Sequence, residues 1–296
     1  MKYRHAFHAG NFADVHKHVT LLALLGALAR KDKGFLFVDT HAGRGCYDLA
    51  SADARKGEEF RGGVERLLGV GGSDARALPE ELQDYAHLVR ALRNQPHARH
   101  ACPGSPWLAL QRLRAQDRAV LIETQQSEHV ALREAMRDAV RNSAVTANHL
   151  VLECADGYAR LKHWLPNVER RALVLIDPPY EDTRGDFSAA ANATAEILKR
   201  LPTAVIAIWY PIKDGRDTDQ WLASLPSRLP QDAAHPPQFL QSEVWIHPRD
   251  TRVGLNGSGI VIVNPPWQIA ERMQHWLPAL HALLDPAPAR GGWRVR

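Results

Sequence analysis

Residues 177–180, Asp177-Pro178-Pro179-Tyr180, place an acid, two prolines and an aromatic ring directly after the apolar run 172–176. Two successive prolines keep the chain extended and remove two amide donors, so carbonyls in this stretch stay open to a donor from outside. The exocyclic amine of adenine is a poor nucleophile, because its lone pair is delocalised into the ring, and a catalyst has to orient it. The Asp177 carboxylate and the Pro178 carbonyl could each accept one amine hydrogen and aim the lone pair at a methyl donor. Tyr180 would then stack on the plane of the base. The plainer alternative is a strand exit stopped by prolines, with a partly buried tyrosine.

Three further strand ends carry residues suited to a nucleoside. Asp39-Thr40-His41-Ala42-Gly43-Arg44-Gly45 follows an apolar run, and Gly43 and Gly45 would let a ligand approach the backbone closely, although glycines here also make simple turns. Glu123 ends the next run, where an acid in a nucleotide-binding sheet accepts hydrogen bonds from ribose hydroxyls. Asp156-Gly157 ends a third, and Asp156 could accept from an adenine amine or cap the following helix. A near twin of the first motif, Asn264-Pro265-Pro266-Trp267, also follows a strand. After Asn264 there is too little chain for the rest of a sheet, so it reads as the exit into a last helix rather than as a second catalytic turn. His5, His8, His16 and His18 crowd the start, but no cysteine or glutamate set completes a tetrahedral site; no metal is expected, and His18 and His41 read as polar pocket residues.

The elements that would hold these residues follow a regular rhythm. Helical spacing over 14–30, with Asp14 as its cap, leads into a buried strand over 34–39. Two helices, over 58–68 and 79–93, have no strand signal between them, and 48–102 therefore reads as an inserted helical subdomain, with Ser105 starting the helix that returns to the sheet. Strands over 119–122, 150–152, 172–176 and 204–209 then alternate with helices over 128–140, 157–164, 189–200 and 218–225. Strands over 238–246 and 259–263 and a helix over 267–284 close the pattern, leaving 286–296 as a disordered tail. This is α/β: one doubly wound, Rossmann-like sheet of about seven strands, built from 1–47 and 103–285, with ligands beyond the carboxyl ends of its strands.

The 296 residues are 45% hydrophobic and 24% charged, which suits a folded globular chain and excludes wholesale disorder. A net charge of +4 and a pI of about 9.0 are compatible with a nucleic-acid partner without requiring one. The apolar run 19–29 is too short for a bilayer, so no membrane is expected. Its Ala27-Leu28-Ala29 end resembles a signal-peptidase site, yet Asp14 and the histidines before it, and Arg30-Lys31-Asp32-Lys33 after it, are unlike a secretory leader. Cys46, Cys102 and Cys154 form no C-x-x-C pair, which fits a reducing, cytoplasmic setting.

With these motifs in view, the chain resembles the RlmJ family of bacterial 23S rRNA adenine-N6 methyltransferases over almost its whole length. The likeness rests on Tyr3-Arg4-His5-Ala6-Phe7-His8-Ala9-Gly10-Asn11, Asp14-Val15-His16-Lys17-His18, Asp39-Thr40-His41-Ala42-Gly43 and Pro103-Gly104-Ser105-Pro106. It rests equally on Ala155-Asp156-Gly157, Ile176 to Tyr180, Trp209-Tyr210-Pro211 and Asn264 to Trp267. The resemblance implies a class I methyltransferase fold with a helical insertion, S-adenosylmethionine as cofactor and 23S rRNA as partner, in a protein expected to act as a monomer. It implies cofactor contacts at His18, His41, Ser105, Glu123, Asp156 and Gly157, a catalytic Asp177, and substrate contacts at Tyr3, His5 and Lys17. Phe12, His16 and Arg44 fall at positions the family varies, and Arg44 could alter contacts of the cofactor loop.

The expected reaction draws an adenine out of the RNA stack to Asp177–Tyr180. A methyltransferase acting on DNA adenine or on a protein glutamine amide would present the same planar amine. The insertion is small for a DNA-reading domain, and a glutamine enzyme would carry Asn at the first motif position. A non-catalytic RNA-binding module is the remaining alternative, and no empty cofactor-side position in the sequence favours it.

Overall fold

The computed structural model describes residues 5–230, 236–251, 254–285 and 290–296. Its centre is a sheet of eight strands in the order β10-β8-β9-β7-β6-β1-β4-β5. These are β1 (Leu36–Asp39), β4 (Arg118–Glu123), β5 (Leu150–Cys154), β6 (Ala172–Ile176), β7 (Val205–Ile212), β8 (Phe239–Trp245), β9 (Gly257–Val263) and β10 (Gly292–Val295). The run from β7 to β5 is parallel throughout, whereas β9 is antiparallel to both β7 and β8, and β10 is antiparallel to β8. The chain winds from β1 outward through β4 and β5, then crosses back to β6 and β7. The order therefore reverses between β1 and β6, and a crevice opens there beyond the strands' carboxyl ends.

Both faces of the sheet are covered, which is why its central strands read as unbroken apolar runs. Phe37, Leu121 and Leu173 point into one core, while Val38, Val120 and Val174 point into the other. The first core is closed by α1 (Phe12–Ala29), with α5 (Glu80–Arg93), α6 (Ser105–Leu110), α7 (Gln126–Arg141) and α11 (Ile269–Leu284) around it. The second is closed by α8 (Gly157–Trp164), α9 (Thr183–Arg200) and α10 (Gly215–Arg228). Helix α1 is long and apolar enough to cross a membrane by length and composition, but 83% of that window is buried inside the protein. It is a core helix, apolar on nearly every side because it is covered on nearly every side.

Helix α1 is capped by Asn11, whose side chain accepts from the Asp14 amide, and not by Asp14 as the sequence suggests. Asp14 sits in the first turn and reaches back past the cap to accept from the Gly10 amide at 2.9 Å, while the Asn11 amide donates to the His8 carbonyl. The stretch expected as an insertion leaves and rejoins the domain through a short antiparallel ladder, β2 (Cys46–Asp48) with β3 (Ala101–Pro103). Between them lie α2 (Ala52–Gly57), α3 (Val64–Gly69), α4 (Gly72–Ala77) and α5, which packs on α1.

The tail requires a correction. Residues 286–289 lie outside the described residues, but Gly292–Val295 form strand β10 on the sheet edge rather than a disordered end. Arg294 explains the difference: its Nε lies 2.6 Å from the fully buried Glu243 carboxylate and its Nη2 2.7 Å from Asp219. A terminal arginine reads as a solvated charge unless its distant partners are known.

Candidate active site

Strand β1 delivers Asp39 to the crevice and β6 delivers Asp177 beside it. Asp39 is fully buried, accepts from the Ser105 hydroxyl at 2.6 Å and from the His41 amide at 3.2 Å, and burial pushes its carboxyl up to about 7. Thr40 ties this loop to the neighbouring strand, since its amide and hydroxyl both donate to the Leu175 carbonyl. His41 shares a hydrogen bond with the Thr40 hydroxyl at 2.8 Å and packs edge-on to Tyr158. Its burial lowers the imidazole pKa to about 4, so the ring is neutral near pH 7.

Gly43 adopts φ +59, and its amide donates to Glu123 Oε2 at 2.9 Å. Any Cβ there would stand 2.4 Å from the Tyr47 hydroxyl, so glycine is required both by backbone conformation and by space. Glu123 Oε1 accepts from the Gln125 amide at 2.7 Å. Together with His18, His41, Arg44 and Ser105, these residues line a cavity of about 440 Å³. Arg44 is held in its wall by a two-pronged contact with Glu128, at 2.9 and 2.6 Å. His18 lies within 3.4 Å of the Tyr85 hydroxyl, and burial lowers its pKa to about 3.

A second cavity, about 480 Å³, opens on the other side of the Asp177 turn, with Trp209, Pro211 and Lys213 in its wall. His5, Lys17, Asp177 and Pro179 line both cavities, so the carboxylate stands at their boundary. Lys17, buried on α1, places its ammonium 2.6 Å from Asp177 Oδ2 and 2.9 Å from Asp14 Oδ1. Burial alone would lower the Lys17 pKa; the two carboxylates outweigh it and hold the amine well above the lysine range. His5 Nε2 lies 3.0 Å from Asp14 Oδ2, which extends the network to the N-terminal segment.

The geometry gathers His18, His41, Gly43, Ser105 and Glu123 around the first cavity, and His5, Lys17 and Asp177 between the two. Tyr3 lies outside the described residues. Asp156 and Gly157 line neither cavity. Asp156 caps α8 through the amides of Tyr158 and Ala159, and Gly157 passes so close to Thr40 that a Cβ would meet its carbonyl oxygen at 2.0 Å. Tyr180 is corrected as well: instead of offering a face to a base, its ring is 1% exposed, packed edge-on to Phe187 and Trp209, with its hydroxyl donating to the Trp209 carbonyl at 2.6 Å.

The twin motif separates cleanly. Because β9 runs antiparallel, with Val263 opposite Ile206 at the start of β7, Asn264 emerges at the end of the sheet away from Asp177. Its amide donates to the carbonyls of Pro202 and Ala204, and Trp267 is 79% exposed. His16 is satisfied by the hydroxyls of Ser258 and Ser242, at 2.9 and 3.0 Å. Among the described residues, no three His, Cys, Asp or Glu side chains form a group that could hold a metal ion.

Sequence reasoning missed Asp39, Asp14 and Lys213. The first two stand inside quoted motifs, and a buried acid just after an all-apolar strand was the available signal for Asp39. Lys213 carries no local signal.

The family model described as RsmJ, Ribosomal RNA large subunit methyltransferase D, RlmJ, matches residues 32–296. The chain belongs to this family. It is 36% identical over 295 residues to Ribosomal RNA large subunit methyltransferase J of Haemophilus influenzae, covering 100% of this chain and 98% of that protein. With the Escherichia coli protein of the same name it shares 37% identity over 287 residues, covering 97% of this chain and 95% of that one. Among solved structures, protein LPL1258 of Legionella pneumophila superposes with a TM-score of 0.82 at 27% identity, covering 98% of each chain. The family resemblance and the α/β fold read from sequence are both upheld, with eight strands in place of seven.

Proposed function

We propose that this RlmJ-family protein transfers a methyl group from S-adenosylmethionine to the exocyclic amine of an adenine in 23S rRNA, giving N6-methyladenine and S-adenosylhomocysteine. The observation that carries the reading is the Asp177 carboxylate in the lining of two adjoining cavities, of which the reading gives one to a methyl donor and the other to a base. Family membership supports ribosomal RNA as the polynucleotide.

The first cavity fits the cofactor chemically. Each Glu123 oxygen accepts one backbone N–H and so retains a lone pair for a ribose hydroxyl. The neutral rings of His18 and His41 avoid setting fixed cations against a sulfonium. Gly43 and Ser105 would hold the remaining edges, and Asp156 would reach the adenine only with the oxygen its cap leaves over. When bound, S-adenosylmethionine supplies an electrophilic methyl group.

The protein's part is orientation. Lys17 holds Asp177 Oδ2, which leaves Oδ1 to accept one hydrogen of the amine while the Pro178 carbonyl accepts the other. The attacking nitrogen would become cationic as it takes the methyl group and would pass its proton to water, so no strong base is needed and Asp177 acts by orientation. In this reading Tyr180 supports the turn from behind, and Trp209, in the wall of the second cavity beside Asp177, would offer an aromatic surface to a flipped base. His5 and Tyr3 would approach from the N-terminal segment. On this reading the protein acts as a monomer in the cytoplasm.

The test incubates the purified protein and methyl-labelled cofactor with unmodified 23S rRNA, duplex DNA and a release factor in parallel, then digests the products. Label should appear as N6-methyladenosine from RNA alone. Asp177→Ala should abolish transfer while cofactor binding stays measurable; full activity in that variant would refute the assignment. Label on DNA or on glutamine would move the reading to the corresponding alternative.

A further inference from the structure

We infer that Lys213 is a positioning residue for this reaction, the ammonium that keeps the Asp177–Tyr180 turn in its catalytic shape; the inference rests on the reading of Asp177 above. Tyr180 occupies φ +52, a left-handed conformation that a bulky side chain avoids. Such a conformation persists only where neighbouring groups impose it. The Thr183 hydroxyl reaches the Tyr180 carbonyl only at 3.5 Å, and the two shorter contacts come from β7 and the residue that follows it. The Trp209 carbonyl accepts from the Tyr180 hydroxyl at 2.6 Å and fixes the ring; Lys213 Nζ donates to the Tyr180 carbonyl at 2.8 Å and fixes the peptide.

The lysine is itself braced. The amide of the fully buried Asn256 donates to the Lys213 carbonyl at 3.0 Å, and the Asn256 backbone N–H donates to the Ile212 carbonyl at 2.8 Å. Lys213 Nζ also reaches the Thr183 hydroxyl at 3.4 Å, at the first turn of α9, so it spans the turn from the motif to the helix that follows. Lys213 is an exposed residue at the rim of the base-side cavity, yet its amine is turned onto a main-chain oxygen of the motif and a hydroxyl of the next helix rather than left to water alone. Releasing the Tyr180 carbonyl would let the turn relax toward ordinary φ values. That relaxation would carry the Pro178 carbonyl and the Asp177 carboxylate away from the amine they must orient, while leaving the Gly43 and Glu123 side of the cofactor cavity in place.

The experiment compares wild type, Lys213→Met and Lys213→Arg on 23S rRNA, measuring kcat, KM for RNA, cofactor Kd and Tm. Lys213→Met should lower kcat about tenfold or more, equivalent to ~1.4 kcal/mol of transition-state stabilisation. Its cofactor Kd should stay within about twofold, and Lys213→Arg, which restores a charged donor, should recover kcat to within about threefold. Should Lys213→Met melt below the assay temperature, Lys213→Gln is read in its place against the same thresholds. Unchanged kcat in the neutral variant overturns the inference, as does a raised KM for RNA with kcat intact, which would make Lys213 a phosphate contact. Wild-type protein that labels no adenine counts against the reading of Asp177; normal labelling by wild type and Lys213→Met alike counts against Lys213 alone.

Discussion

The sharpest consequence of the site's electrostatics concerns Asp39. Its carboxyl is raised from 3.8 to about 7, chiefly by burial, with the Asp177 charge adding to the rise and the Ser105 and His41 contacts opposing it. A group whose folded pKa lies above its unfolded value binds more protons in the folded state between the two. Its contribution to stability is full below pH 3.8, declines as pH rises and levels off above pH 7. Three units at 1.36 kcal/mol each set the loss at about 4 kcal/mol, an order-of-magnitude figure. Asp39→Asn removes the titration while keeping the shape: its amide oxygen can still accept from the His41 N–H, and its NH2 can donate to the Ser105 hydroxyl. Urea denaturation of the ligand-free protein at half-unit steps from pH 4 to 8 should show the variant gaining on wild type by roughly 2–4 kcal/mol across that window, then running parallel to it. Curves parallel from pH 4 onward would mean that Asp39 titrates near its ordinary value, and the account of its burial would be wrong.

Two further outcomes follow from packing. Gly157→Ala would drive a Cβ into the Thr40 carbonyl oxygen, whose residue is pinned to Leu175, so the His41 loop has to move. The variant should lose about 1–3 kcal/mol of stability and weaken cofactor binding by calorimetry, and a substitution silent in both would show that the loop yields freely. Arg294→Met would strip the fully buried Glu243 of its nearest guanidinium, leaving Arg249 at 3.4 Å and the Tyr210 hydroxyl. Denaturation should register a loss of about 3 kcal/mol, partly recovered by adding Glu243→Gln; a variant as stable as wild type would make β10 an ornament of the edge rather than part of the fold.

What the sequence displays and what it hides divide along one physical line. Period and punctuation are local, so α8 and β6 are legible to the residue: apolar runs bounded by Asp156 and by Asp177-Pro178 leave no other choice. His41, Gly43 and Glu123 stand at strand ends and line the first cavity, as expected of residues beyond the carboxyl ends of a doubly wound sheet, whereas Asp156 and Gly157, read by the same rule, line neither cavity. Charge pairing is not local. Lys17 and Asp177 meet across 160 positions, Arg294 and Glu243 meet only once β10 has docked, and neither pair leaves a mark on its neighbours in the chain.

Asp177-Pro178-Pro179-Tyr180 and Asn264-Pro265-Pro266-Trp267 make the same point from the other direction, since composition presents them as near equals. Strand direction is what separates them. A strand parallel to β1 can end only in the crevice, whereas β9, reversed, ends at the opposite edge whatever side chains follow it. The aromatic residue then follows the environment rather than the motif: Tyr180, held at φ +52, turns inward and spends its hydroxyl on Trp209, while Trp267 faces solvent. A tetrapeptide can therefore supply the acid and the stiff backbone of a catalytic turn. Which ring faces the second cavity depends on the strand beside it, which contributes Trp209 to the cavity wall and leads into Lys213 at the turn.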